Sequence, residues 1–401
     1  MHCVRKITED LYWIGVNDRR LALFENIHPI PRGVSYNSYV LLDEKTVLFD
    51  TVDWSACRQF LDNLEFVLNG RKLDYLVMHH VEPDHAASLQ EILLRWPEVK
   101  IIATSKAFDL LKQFGINTDH FEEPVKEGDT RCFGRHTVTF FVAPMVHWPE
   151  VMVTFDKTNG VLFSADAFGS FSALNGKLFN DEVDYDRDWI DETRRYYTNI
   201  VGKYGMQVQT LLKKAKKLDI KMICPLHGLV WRSNLEYILD KHDKWSRYEP
   251  EQKGVLIVFG SMYGNTERAA DALAVKLTEN GVKDMAIYDV SSTHVSTLIA
   301  ESFRFSHIVL ACVTYNLGIY PPMQTYLHDL KALNVQNRTF AIMENGSWAC
   351  TSGKLMTEFV QKELKNCSVL ENKVSIRSSL GDAGEPALDS FASAIAQSVN
   401  G

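Results

Sequence analysis

The stretch LVMHHVEPDHAASL, residues 76–89, sets three histidines, a glutamate and an aspartate directly behind an apolar run. The run reads as a buried strand, and the polar cluster as the turn at its carboxyl end. Burying so many polar side chains without partners is costly. The spacing H-x-E-x-D-H from His80 to His85 therefore points to a bound cation. If the chain stays extended past His80, alternate side chains face the same way. His80, Glu82 and Asp84 then converge on one side, and His85 reaches a neighbouring point. Four ligands so close in sequence crowd a single ion, but two adjacent ions can share them. His79 belongs to the strand end and is left outside the set.

Later strand ends offer more donors: His147 in PMVHWPE, Asp166 in LFSADAFGS and His227 in CPLHGLVW. Pro144 and Pro225 precede the two histidines, which places them where strands become loops, a usual position for functional groups. A carboxylate such as Asp166 can bridge two metals. Nitrogen and oxygen donors without thiolate suit iron, manganese or zinc and argue against an iron–sulfur cluster or copper(I).

A length of 401 residues exceeds one ordinary core, so two domains are expected. The net charge of −8 argues against a nucleic-acid or anionic-membrane surface. No apolar run reaches the roughly 18 residues of a membrane span, and the N-terminus lacks the apolar segment of a signal peptide. Seven scattered cysteines without a C-x-x-C pair exclude a zinc ribbon, a rubredoxin-type site and a thioredoxin motif, and suit a reducing cytoplasm. Residues 1–250 read as strands, then mixed strand and helix, with a long helical stretch over 189–218 broken near Gly202 or Gly205. The charged segment 239–254 reads as a linker. From 254 to 401 strand and helix alternate strictly, as in a doubly wound domain of five parallel strands.

Within that second domain, Ser261-Met262-Tyr263-Gly264-Asn265-Thr266 comes after the first strand and opens a helix. Helix-start amides with hydroxyls make a neutral phosphate cradle. Without G-K-[ST] it is no nucleotide-triphosphate loop, so a monophosphate fits. Loops 313–322 and 344–353 lie at the carboxyl ends of the third and fourth strands. In a 2-1-3-4-5 sheet these ends rim the switch-point crevice, where FMN binds. Thr314, Tyr315, Asn316, Leu317 and Gly318, with Asn345, Gly346, Ser347 and Trp348, are the candidate contacts, Tyr315 and Trp348 being those for the ring.

The chain resembles a known family here. H-x-[HE]-x-D-H followed by distant His, Asp and His looks like the metallo-β-lactamase fold, an αββα sandwich. The hydrolases of that fold carry histidine where this chain has Glu82. The glutamate form joined to a flavodoxin-like domain resembles the flavodiiron proteins, and PIPRGVSYNSYVL (29–41) and HWPEVMVTF (147–155) match that family too. The resemblance implies one iron on His80, Glu82 and His147, a second on Asp84, His85 and His227, and Asp166 as bridge. It implies an oxidoreductase taking O2 to water, NO to N2O, or both, since two ferrous ions and a reduced flavin hold four electrons. It implies FMN as the relay, and a separate rubredoxin or reduced coenzyme F420 as donor. It further implies a head-to-tail homodimer or dimer of dimers in the cytoplasm. His28 and Tyr197 are candidates for residues near the diiron pocket, against a solvated loop histidine and a core tyrosine. Two other readings stay open: a zinc hydrolase with a fused flavodoxin, and an electron carrier with a degenerate metal site.

Overall fold

The sandwich grows from strands that are apolar on both faces. Tyr39, Leu41, Val47 and Phe49 point one way and Val40 and Leu48 the other, and all are buried. A sheet so built needs a cover on each side. The computed structural model describes residues 2–401, apart from the side chain of Thr118. It separates two compact units, Met1–Asp243 and Lys244–Gly401.

In the first unit, strands Arg5–Lys6, Leu11–Trp13, Tyr39–Leu42, Thr46–Phe49, Tyr75–Val77 and Lys100–Ile102 lie side by side in that order. A second sheet runs Thr130–Cys132, Thr137–Val142, Met152–Asp156, Val161–Phe163 and Met222–Cys224. The sheets share one core, in which Phe49 stacks on Phe163 with centroids 3.9 Å apart. Leu48, Leu76 and Ile101, on the other face of the first sheet, are 0% exposed. This is the expected αββα sandwich. His79 and His80 come just after Tyr75–Val77, Asp166 after Val161–Phe163 and His227 after Met222–Cys224, so parallel strands deliver them together at their carboxyl ends.

The second unit is a parallel sheet in the order Met285–Asp289, Gln252–Gly260, Phe305–Tyr315, Thr339–Asn345, Ser368–Ile376. That is the expected 2-1-3-4-5 arrangement. A short antiparallel strand, Gly318–Ile319, turns back on the third strand.

One expectation is corrected. Segment 239–254 is not a linker: the helix Leu235–Ser246 occupies its first half and the strand Gln252–Gly260 begins before its end. Ile238, His242 and Trp245 are buried at a helical spacing of four and three, a stripe hidden among charged neighbours. The domain boundary expected between 250 and 254 compares with a division by compactness at 243/244. The helical stretch 189–218 breaks where expected: a π-turn at Tyr197–Val201 leads into a 3-10 turn that opens at Gly202, and the next helix starts at Gly205. Among the described residues no helix is long and apolar enough to cross a membrane.

Candidate metal centre and flavin crevice

Behind its strand the chain stays extended only as far as Glu82 (φ −58°, ψ 143°). Pro83 then opens the helical turn Pro83–Ala86, a position proline favours because its missing N–H would have no partner there. The turn ends the alternation of facing. Asp84 therefore does not join His80 and Glu82, as continued extension would require, and the seven candidate ligands fall into two groups. In the first, His80 Nε2 lies 3.1 Å from Glu82 Oε2 and 3.3 Å from His147 Nε2. His147 Nε2 lies 3.0 Å from the same Glu82 oxygen. In the second, Asp84 Oδ2 lies 3.3 Å from His85 Nε2 and 3.1 Å from His227 Nε2.

Asp166 joins them. Its Oδ2 is 3.4 Å from His80 and 3.1 Å from His147, and its Oδ1 is 3.2 Å from His85 and 3.7 Å from His227. Metal–ligand bonds of about 2.1 Å put neighbouring donor atoms roughly 3.0–3.4 Å apart, so each group has the span of one coordination sphere. Both Asp84 oxygens, Asp166 Oδ1, His85 Nε2 and His227 Nε2 are buried without a hydrogen-bond partner among the described residues. Such orphans are costly unless a cation satisfies them. Electrostatics agree. Burial alone would push Asp166 up, but His85, His147 and His80 hold it well below the carboxylate range. Burial alone would lower His147, but Asp166 and Glu82 raise it to about 9.

Orienting contacts surround these groups. Glu150 Oε1 lies 2.6 Å from His80 Nδ1, and His227 Nδ1 donates to Ser35 O at 2.7 Å. These bonds direct each Nε2 inward. Ala165 takes a left-handed φ of 51°, and its carbonyl accepts from Leu226 N, fixing the turn that presents Asp166. His79 has both ring nitrogens engaged, with Asp50 at 2.5 Å and Thr154 at 2.7 Å, and stands outside the groups as expected.

In the second unit a cavity of about 280 Å³ opens at the carboxyl ends of the strands. Ser261, Met262, Tyr263, Asn265 and Thr266 line it, with Thr314, Asn345, Gly346, Ser347 and Trp348. Gly264, at φ 85°, caps the helix Asn265–Glu279, and its N–H donates to Ser261 Oγ. Gly346 is obligatory: a β-carbon there would lie 1.8 Å from Ala349 O. Asn345 ties the loops together, donating to Thr266 Oγ1 at 3.2 Å and Ser378 O at 3.1 Å.

Residues 34–228 match the model of the ODP family beta lactamase, and residues 257–369 that of flavodoxin. The chain is 31% identical over 348 residues to an anaerobic nitric oxide reductase flavorubredoxin of Klebsiella pneumoniae, covering 86% of this chain and 72% of that protein. It is 30% identical over 355 residues to a nitric oxide reductase of Moorella thermoacetica, covering 88% of each. The chain belongs to the flavodiiron protein family. Its fold agrees with that of rubredoxin oxygen:oxidoreductase from Desulfovibrio gigas at a TM-score of 0.91 and 27% identity, over 99% of this chain and 98% of that one. The residues of this flavodiiron protein fit both cofactors of the family. Orphaned nitrogen and oxygen donors suit a non-haem iron pair, and the lysine-free helix start with its hydroxyls suits the phosphate of FMN.

Not every residue singled out from the flavodiiron sequence falls in place. Tyr197 turns its ring edge-on to His242, with centroids 5.1 Å apart. The adjacent Tyr196 packs on the candidate ligand His227 instead, at 5.5 Å. Its hydroxyl is buried without a hydrogen-bond partner among the described residues. Burial, then the Asp166 and Asp84 carboxylates, holds it protonated. His28 sits 3.8 Å from Glu25, and Glu25 in turn lies beside the candidate ligand Glu82. Burial, then the neighbouring Glu82, pushes Glu25 up to about 7. Tyr315, Asn316, Leu317 and Gly318 form a tight hairpin, with φ 49° and 60° at its two central residues, and do not line the cavity. Val313, Ala349 and Ser378 line it in addition. Of the residues missed, only Glu150 carried a signal, its place in HWPE beside His147.

Proposed function

We propose that this flavodiiron protein reduces NO, O2 or both at a diiron centre, with electrons passed through FMN from a rubredoxin-type donor. The observation that supports this most is Asp166, one carboxylate with each oxygen turned to a separate His–carboxylate group. In this reading His80, Glu82 and His147 would hold one iron, Asp84, His85 and His227 the other, and Asp166 would serve both. A glutamate rather than a histidine at position 82 favours iron redox chemistry over zinc hydrolysis. When bound, the irons and FMN supply the electrons and the polarising charge.

The chain's own residues hold and shape the pocket. Glu150 and the Ser35 carbonyl fix the tautomers of His80 and His227. Tyr196 keeps a proton at its Oη beside the metal groups, where a reduced oxygen atom needs one. Ser261, and Thr266 with the first turn of its helix, would hold the phosphate, and Gly346 and Trp348 would serve the flat ring. Reduced coenzyme F420 as an alternative donor, a head-to-tail dimer or dimer of dimers, and a cytoplasmic setting complete the reading.

The test is direct. The protein, loaded with iron and FMN, is reduced anaerobically through a rubredoxin system while NO and O2 are monitored on electrodes. Consumption of either gas is expected, and consumption of neither at full loading overturns the proposal.

A further inference from the structure

Glu344 is the penultimate residue of the fourth strand of the second unit, two residues before Gly346 in the loop that carries Trp348, and is 5% exposed. No ion pair involves it among the described residues. Its partners are neutral: Oε2 accepts from Gly353 N at 2.8 Å, and Oε1 accepts from Ser375 Oγ at 2.7 Å. Gly353 lies in the first turn of the helix Ser352–Glu363. The carboxylate thus takes up an orphan amide at the positive end of a helix, which offsets part of its burial cost. Thr314 Oγ1 accepts the neighbouring amides of Thr351 and Ser352 at 3.0 and 3.2 Å. The helix start is therefore committed to fixing the loop. The fit is close, because a β-carbon on Gly353 would lie 2.7 Å from both Cδ and Oε2 of Glu344. A neutral glutamine would keep both contacts, its oxygen accepting from Gly353 N and its amide nitrogen donating to Ser375 Oγ, without the cost of a buried charge. Retaining the charge in such a place calls for a role that the charge itself performs.

We propose that Glu344 is a positioning residue for the flavin: its carboxylate locks the loop from Asn345 to Thr351, and its buried negative charge lowers the reduction potential of bound FMN. Reduction adds negative charge to the ring, and a fixed charge of the same sign in a poorly screened interior opposes it. A lowered potential favours onward transfer of the electrons. The proposal rests on the flavin reading of the crevice and not on the identity of the gas.

The full-length protein is stripped of FMN, titrated with FMN, and its midpoint potential measured. Glu344→Gln keeps both hydrogen bonds, its amide oxygen accepting from Gly353 and its amide nitrogen donating to Ser375. It should bind oxidised FMN within about twofold of the parent. It should favour the reduced form about tenfold more, which is about 30 mV upward for a two-electron couple. Glu344→Ala should weaken FMN binding about tenfold. Ser375→Ala keeps the charge and should leave the potential unmoved. If Glu344→Gln does not fold, Gly353→Ala carries the test of position, since its methyl displaces the carboxylate and should weaken FMN binding. A Glu344→Gln potential equal to the parent's, or unaltered FMN affinity in both Glu344→Ala and Gly353→Ala, overturns the proposal. A parent chain that binds no FMN overturns the flavin reading itself. FMN binding without gas consumption overturns only the proposed activity.

Discussion

Asp166 is the side chain whose removal separates the two metal groups, since its two oxygens face one group each. Asp166→Ala should lose at least one iron and reduce gas consumption at least about 100-fold, the upper end of what losing an orienting partner costs. FMN content should stay at the parent level. Metal analysis and flavin absorbance read the two results separately, and loss of FMN instead would refute the assignment of the sites to different units. Glu150→Ala leaves every ligand in place but frees His80 Nδ1, so iron affinity should fall about 10–100-fold in a chelator competition. The metal-free site also makes a pH statement. Carboxylates hold His80 well above its ordinary range and His147 at about 9, despite burial, so both are protonated at neutral pH. Metals need them neutral. Iron uptake at pH 7 should therefore release protons from this pair, and the share from His147 should decline as pH rises through 9. Titration in weak buffer with an indicator dye measures it, and uptake without proton release would contradict the electrostatics.

Elements show where local reading succeeds and where it fails. The strand ends at Val77, Phe163 and Cys224 follow from apolar runs, and the donors behind them were legible for that reason. The turn after Glu82 was not, because extended and helical continuations of V-E-P-D-H differ only in what Pro83 begins. Glu150 meets His80 across 70 residues of sequence, and it is Tyr196 that packs on His227. A one-residue choice on a helix turns a side chain by about 100°, and the π-turn starting at Tyr197 disturbs even that count. A contact of the same long-range kind clips the strand Thr137–Val142 to its surroundings. His136 lies 2.8 Å from both Asp10 Oδ2 and Asp156 Oδ2. Burial would lower it, but the two aspartates raise it to about 9. Its stabilising effect is then full below pH 6.5, its unfolded value, and fades as pH rises through 9. His136→Ala should cost roughly 1–3 kcal/mol at pH 6, and the gap to the parent should narrow by pH 10 in denaturant melts. A gap that stayed constant across this range would mean that the ring packs rather than pairs. In the second unit Trp348 is 75% exposed at the mouth of its cavity. Trp348→Ala should weaken FMN binding without changing iron content.

At the scale of the molecule, the second unit was the more legible because strict alternation of strand and helix admits few topologies. Its five strands take the expected order, while the charged segment before it proved to be half helix. What the sequence could not convey was how far each unit depends on the other. Every ligand of the metal groups lies before residue 243, and every residue lining the flavin cavity lies after residue 244. The two chemistries should therefore survive separation. A fragment of residues 1–250 should retain iron, and one of residues 251–401 should retain FMN, each by direct analysis. Turnover should not survive. If electrons from a rubredoxin-type donor reach iron only through FMN, the first fragment, iron-loaded and supplied with that donor, should consume NO at less than about 1% of the full-chain rate, a barrier difference of about 3 kcal/mol. Adding free FMN should not restore the rate, because the fragment has no helix start and no loop to hold it. Consumption by residues 1–250 alone at the rate of the full chain would remove FMN from the electron path and leave the flavodoxin-like unit without a part in the reaction.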